Sequence, residues 1–359
     1  MKKSKKQKKS YYDEVHDLLK NGINNLSDLI MLGHHYNNYV KHEYRCEYDG
    51  DDDEEYQDNF HPEDDFRTNI NLPDLSKIVD DLDKLNNMIG MKEIKDTLYL
   101  QLLFYLQGLN DKNDFLHCVI YGNPGVGKTT IANMLAEIYR KMGILKYGAV
   151  KVATKDALIG EYIGQTAIKT KKFLESCIGN VMLFDEAYQI SSGFLDKGDS
   201  YSKECINVLN QFLLEHRQDF VCILAGYKED IEKCFFSLNK GLERRFPWRF
   251  EIKNYIASEL EKIFKSQVQQ NGWNLTENAI SSSFFEKNID LFKNSGGDCE
   301  ILFNKIKICH SQRIINCTKE SRKLITDKDF ENGYQLFISA EHIKNRLEKE
   351  DSKIPFMYI

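Results

Sequence analysis

An apolar run of Phe115, Leu116, Cys118, Val119, Ile120 and Tyr121 leads directly into Gly122-Asn123-Pro124-Gly125-Val126-Gly127-Lys128-Thr129-Thr130. No other stretch restricts the fold as strongly. The pattern G-x-x-x-x-G-K-T demands a buried strand before it and a helix after it. Both are signalled, by the apolar run on one side and by the stripe Ile131, Met134, Leu135, Ile138 and Tyr139 on the other. Glycines admit backbone angles closed to other residues, so successive N–H groups can turn inward and cradle phosphate oxygens where a helix dipole favours anions. Lys128 then reaches the β- and γ-phosphates of a nucleoside triphosphate such as ATP, and Thr129 offers its hydroxyl to Mg²⁺. A glycine-rich turn that matches by chance would have no reason to carry this strand and helix.

Further strands are predicted at 149–153, 181–184, 220–225 and 248–252, separated by helical stretches. That alternation predicts an α/β fold with a five-stranded parallel sheet covered on both faces. The run Val181, Met182, Leu183, Phe184 ends in Asp185 and Glu186, and strand ends are where ligands sit in such sheets. Asp185 suits the Mg²⁺ shell, and Glu186 is placed to orient a water for attack on the γ-phosphate, which argues for hydrolysis over nucleotide storage. After 252 no strand-like run recurs. Helical spacing at 256–264, 280–292, 301–315 and 330–347 predicts a small all-helical domain behind the sheet.

Upstream, Leu82, Leu85, Met88, Ile89, Ile94, Leu98, Leu102 and Leu106 mark a leading helix interrupted at Met88-Ile89-Gly90-Met91, and 12–32 carries the spacing of one or two short helices. The ten residues 1–10 contain six lysines, and 47–65 contains eleven acidic residues, a composition too polar to order itself. The lysine run reads equally as a nuclear-localisation arm or a solubilising tail. Of the net charge of -6, residues 1–75 carry 10 basic and 17 acidic groups, which leaves 39 basic against 38 acidic in the body. A neutral body argues against nucleic acid as the principal partner. Nine cysteines without a C-x-x-C pair predict a reducing compartment and no zinc site, and His34, His35, His42, His61 and Cys46 match no ligand spacing. No apolar run approaches the ~18 residues of a membrane span, so the expected location is cytoplasmic, or nuclear through the lysine run.

These residues resemble AAA+ ATPases, and within them the CfxQ-like group typified by the rubisco activase CbbX and the sporulation protein SpoVK; relatives from large DNA viruses resemble them more closely still. The similarity spans 82–333. It rests on the phosphate loop, on Leu158-Ile159-Gly160-Glu161-Tyr162-Ile163-Gly164-Gln165-Thr166-Ala167, on Phe184-Asp185-Glu186-Ala187-Tyr188, on Ile223-Leu224-Ala225-Gly226-Tyr227, and on Gly241-Leu242-Glu243-Arg244-Arg245-Phe246.

The resemblance implies a homo-hexameric ring with ATP and Mg²⁺ at subunit interfaces. It implies that Arg245, with Arg244 as the adjacent alternative, is the finger that reaches the neighbour's γ-phosphate. Tyr162, Ile163 and Gly164 match the pore loop that grips a polypeptide client, and Ile89 and Gly90 complete the nucleotide-contacting set. Two positions depart from the family. The sensing residue after the fourth strand falls on Tyr227, and the lid segment that carries arginines in many relatives is here Gly297-Asp298-Cys299-Glu300-Ile301-Leu302, so that Lys305 or Arg313 would have to compensate.

The expected organisation is an N-terminal extension over 1–71, an α/β ATPase domain with its leading helix over 72–253, a helical lid over 254–345 and a tail over 346–359. The function expected is ATP-driven remodelling or threading of a protein client. Its alternatives are a nucleic-acid motor or loader, and a nucleotide-gated scaffold with little turnover.

Overall fold

The computed structural model describes residues 17–48, 68–162, 164–191, 200–239, 241–277, 279–281, 283–315, 322–341, 343–344 and 346. The lysine run, most of the acidic stretch, Ile163 and the segment after 346 lie outside them.

Helix α1 (Leu26–Tyr48) runs well past the apolar spacing that ended at residue 32. It buries Leu26, Leu29, Ile30 and Leu32, and it approaches α2 (Leu72–Asn86) closely at Gly33, where a Cβ would collide with the Val79 side chain. α2 begins at Asn71, whose side chain accepts the Asp74 N–H at 3.1 Å, with Pro73 in the first turn where its missing donor costs nothing. The chain breaks at 87–91, with Met91 at φ +60°, before α3 (Lys92–Leu106) resumes.

Strand β1 (Cys118–Gly122) then enters α4 (Lys128–Lys141), followed by β2 (Val150–Val152), α5 (Thr166–Ser176), β3 (Val181–Asp185), α6 (Ser200–Glu215), β4 (Val221–Gly226) and β5 (Trp248–Ile252). The strands form one five-stranded parallel sheet in the order β2-β3-β4-β1-β5. Val181 to Phe184 and all of β4 are buried, as strands covered on both faces must be. The β3–β4 register pairs Val181 with Val221 and Asp185 with Ala225, so the acidic residue closes the strand at its C-terminal edge.

Beyond the sheet come α7 (Ala257–Gln270), β6 (Asn274–Leu275), α8 (Gly296–Arg313), β7 (Leu324–Ile325) and α9 (Asp327–Ile338). Phe264, Phe285, Phe303 and Phe330 pack edge-on or tilted in its core. The parallel pair β6–β7 is two residues long in each strand, below the length at which alternation can be read from sequence. The helix predicted over 280–292 is instead a single turn at Phe284–Lys287 followed by a 3₁₀ turn at Ile289–Leu291. Asn288 explains the break, because its side chain donates to the Phe284 carbonyl and competes for the backbone groups a longer helix needs. Likewise α9 ends at Ile338, with Ser339 as its cap.

By contacts, the chain forms two compact units, one of Met1–Ile120 with Thr129–Glu251 and one of Tyr121–Lys128 with Ile252–Ile359. Among the described residues no helix is long and apolar enough to cross a membrane.

Candidate functional site

The phosphate loop is held from several directions by its own unit. Lys128, only 6% exposed, donates from Nζ to the carbonyls of Gly122 and Asn123, both at 3.0 Å. Asn123 donates from Nδ2 to Asn254 at 2.7 Å, and the Tyr255 hydroxyl donates to the Val126 carbonyl at 2.9 Å. Burial, and then Glu259, push the Tyr255 phenol up to about 12, so it stays a donor across the neutral range. Gly125 (φ +72°) and Gly127 (φ +98°) take the left-handed angles that turn the loop's amides inward. An ammonium folded onto two carbonyls, at the start of a 14-residue helix, is arranged to exchange those acceptors for anionic oxygens.

Thr129 and Asp185 come together in the other unit. The threonine hydroxyl lies 3.4 Å from the Asp185 carboxylate, the pairing of hydroxyl and carboxylate that octahedral Mg²⁺ coordination uses. Glu186 follows at φ +53°, a conformation that costs a residue with a Cβ about 1–3 kcal/mol. Its N–H donates to Asp185 Oδ1 at 3.1 Å, which fixes the Asp185 carboxylate against the turn. Such strain persists where the orientation of the side chain matters. Tyr227, one residue past β4, packs against Tyr188 at 6.0 Å between ring centres. Its phenol is raised by burial and then by the charges of Glu186 and Asp230, so it stays a neutral hydroxyl.

The loop ahead of α5 is anchored at its base and open at its tip. The buried Thr166 hydroxyl accepts the Gly160 N–H at 3.1 Å, the buried Thr170 hydroxyl donates to the Leu158 carbonyl at 2.9 Å, and Lys169 Nζ donates to the Ile159 carbonyl at 3.0 Å. Tyr162 is 68% exposed, and Ile168 on the next helix is exposed as well. The anchoring threonines were not singled out in the sequence. A hydroxyl residue in the first turn of a helix, just behind a glycine-containing loop, is the local signal that points to Thr166; Thr170, one turn on, has none.

The two arginines differ sharply. Arg245 is 4% exposed and donates from Nη1 to the Gly241 carbonyl, while its buried Nε has no acceptor. Burial lowers its pKa, and Arg244 and Arg217 add repulsion. Among the described residues it forms no ion pair. Arg244 is exposed beside Asn113, Asp114, Pro247 and Trp248. Of the remaining predicted positions, Ile89 and Gly90 sit in the turn between α2 and α3, which Lys95 Nζ clamps by donating to the carbonyls of Asn86 and Met88. Lys305 is half-buried on α8. Arg313 is committed elsewhere, with Nε 3.0 Å and Nη2 2.9 Å from the Asp329 carboxylate and a further bond to the Leu324 carbonyl.

The chain is similar to known proteins in sequence and in structure. Residues 118–254 match the ATPase family associated with various cellular activities (AAA). A cfxQ-like protein of Acanthamoeba polyphaga mimivirus is 40% identical over 295 residues, covering 81% of this chain and 71% of that protein. The chloroplastic ribulose bisphosphate carboxylase/oxygenase activase of Cyanidioschyzon merolae is 34% identical over 221 residues, covering 60% of this chain and 74% of the relative. Among solved structures, the Thermotoga maritima RuvB Holliday junction branch migration motor superimposes with a TM-score of 0.52 at 17% identity, over 75% of this chain and 78% of that one, a likeness of fold.

Proposed function

This chain belongs to the AAA family of ATPases, among the CfxQ- and CbbX-like proteins, and from that premise we propose that it assembles into a ring, homo-hexameric as the family resemblance implies, and uses Mg²⁺-dependent ATP hydrolysis to remodel or thread a protein client. The observation that carries the hydrolytic part is the turn at the end of β3, with Asp185 within 3.4 Å of Thr129 and Glu186 held in a strained conformation beside it. In this reading the phosphate loop and Lys128 hold the phosphates, Thr129 and Asp185 hold Mg²⁺, and Glu186 orients the attacking water. Tyr227, directly after β4, is the candidate for the family's γ-phosphate sensor, with Lys305 on α8 as the other candidate. Tyr162 supports the remodelling part, since a bare phenol ring on an anchored loop gives rigid contact area at small entropic cost. The location proposed is cytoplasmic, with the lysine run at 2–9 as a route to the nucleus.

Burial of Arg245 favours a second reading, a nucleotide-gated scaffold that assembles with little turnover, because the guanidinium that would complete a neighbour's site is held inside its own subunit. Specific ATPase activity measured against protein concentration separates the two. Remodelling predicts activity that rises with assembly, falls with Lys128→Ala, and loses its concentration dependence in Arg245→Ala or Arg244→Ala. Activity no greater than that of Lys128→Ala at every concentration overturns the remodeller and leaves the scaffold. The Glu186→Gln protein saturated with ATP is the bait for identifying the client.

A further inference from the structure

The first turn of α8 touches the phosphate loop backbone to backbone. A Cβ added to Gly125 would overlap the Asn294 carbonyl oxygen and lie 2.9 Å from the Gly297 nitrogen, and one added to Gly296 would lie 3.0 Å from the Gly125 carbonyl oxygen. Segment 294–297 is therefore a wall of the loop, and whatever fixes that segment also fixes the loop. Ser295, in its middle, is buried at φ +50°, a conformation that persists only when its surroundings impose it.

Backbone bonds from Ser295 N–H to the Phe292 carbonyl and from Gly297 N–H to the Asn294 carbonyl hold this turn, and Asp298 adds a buried side chain to them. Its fully buried carboxylate accepts the Asn294 N–H at 2.7 Å through Oδ2, and the same oxygen pairs with Arg346 Nη1 at 2.6 Å. Arg346 also donates to the Leu291 carbonyl at 2.5 Å, so one guanidinium holds both the chain entering the turn and the helix leaving it. Removing one member of a buried pair strands the other charge, which must then take up a proton or draw in water. In either case the acceptor that holds Asn294 is weakened.

We propose that Arg346 is a positioning residue for nucleotide binding: acting through Asp298, it locks 294–297 against Gly125 and so sets the backbone that receives the phosphates. The lid segment at 297–302 has no arginine of its own, and an arginine from 48 positions further along the chain organises the same helix start. The inference rests on the reading of the phosphate loop as the nucleotide site.

The test is a titration of the full chain with a fluorescent N-methylanthraniloyl ATP, paired with steady-state ATPase kinetics and a thermal melt. Arg346→Ala raises Kd and KM for ATP about tenfold and leaves kcat within about twofold, because the group acts on binding geometry and not on the reacting atoms. Arg346→Lys recovers most of the affinity. Native Kd with a lowered melting temperature overturns the proposal and leaves a purely structural pair. If Arg346→Ala does not fold, hydrogen exchange on Arg346→Gln, which removes the charge and keeps a donor, decides: faster exchange of the loop amides at 125–128 supports the role, and unchanged exchange overturns it. Lys128→Ala in parallel keeps the two readings apart. Retained binding in that variant overturns the phosphate-loop assignment, whereas lost binding there with native binding in Arg346→Ala overturns only the role of Arg346.

Discussion

Two loops in this molecule each sit ahead of a helix, and they are built for opposite ends. The phosphate loop is satisfied inward: Lys128 folds onto the Gly122 and Asn123 carbonyls, Tyr255 holds the Val126 carbonyl, and the 294–297 turn backs Gly125. The 159–165 loop is anchored at its base by Thr166, Lys169 and Thr170, and it leaves the Tyr162 side chain in solvent. A loop whose backbone is fixed on every side presents a rigid array of donors, which suits a small, highly charged ligand. A loop anchored at its base that holds one aromatic side chain out in solvent suits a large and variable one. On the function proposed above, the difference separates the loop that binds nucleotide from the loop that touches the client.

The comparison breaks most readily at Lys128. Lys128→Ala removes a charge-assisted contact and weakens ATP binding about 10- to 100-fold, read by fluorescent-nucleotide titration. Gly125→Ala is expected to cost about 3 kcal/mol in denaturant unfolding, since it adds left-handed strain to a clash with Asn294. Thr166→Val leaves the Gly160 N–H without its acceptor and costs about 1–3 kcal/mol. Its more telling readout is chymotryptic cleavage after Tyr162, which speeds up as the loop base frays while ATP affinity stays native. Tyr162→Ala has the smallest effect, within about 0.5 kcal/mol on stability and without change in ATP hydrolysis, while remodelling of the client is lost. A fall in hydrolysis for Tyr162→Ala that matches Lys128→Ala would erase the distinction between the two loops.

A pH experiment sharpens the same contrast from the helical unit. Burial tends to raise the Asp329 carboxyl, but hydrogen bonds from Arg313, His310 and Thr326 outweigh it and hold the group well below its ordinary 3.8. A carboxyl depressed in the folded state contributes stability that is full above its unfolded value and is lost as the pH falls toward the folded one. The melting temperature should therefore drop as the pH is lowered below about 4. Asp329→Asn should flatten that dependence and lower stability at neutral pH.

Much of this was legible in the chain because it is local. The five strands announced themselves as apolar runs, and the phosphate loop and the Asp185-Glu186 pair are contiguous motifs with strong positional rules. What stayed hidden depends on partners far apart in sequence or on backbone angles. The Arg346–Asp298 pair spans 48 residues and has no motif, and Tyr255 meets Val126 across 129. The left-handed turn at Glu186 has no residue-type signal, since glutamate does not advertise a positive φ. The burial of Arg245 could not be read either, because arginine in a short polar segment ordinarily reads as exposed. The β6–β7 pair was too short to leave a period, and the continuation of α1 to Tyr48 carries few apolar residues to mark it.

The central claim is that the turn at Asp185 and Glu186 makes bound ATP a substrate. Single-turnover hydrolysis by the Glu186→Gln protein, with ATP and Mg²⁺ saturating, tests it most directly. Nucleotide that binds as tightly as in the native protein but turns over at least about 100-fold more slowly is the predicted result. Hydrolysis at the native rate would contradict the account.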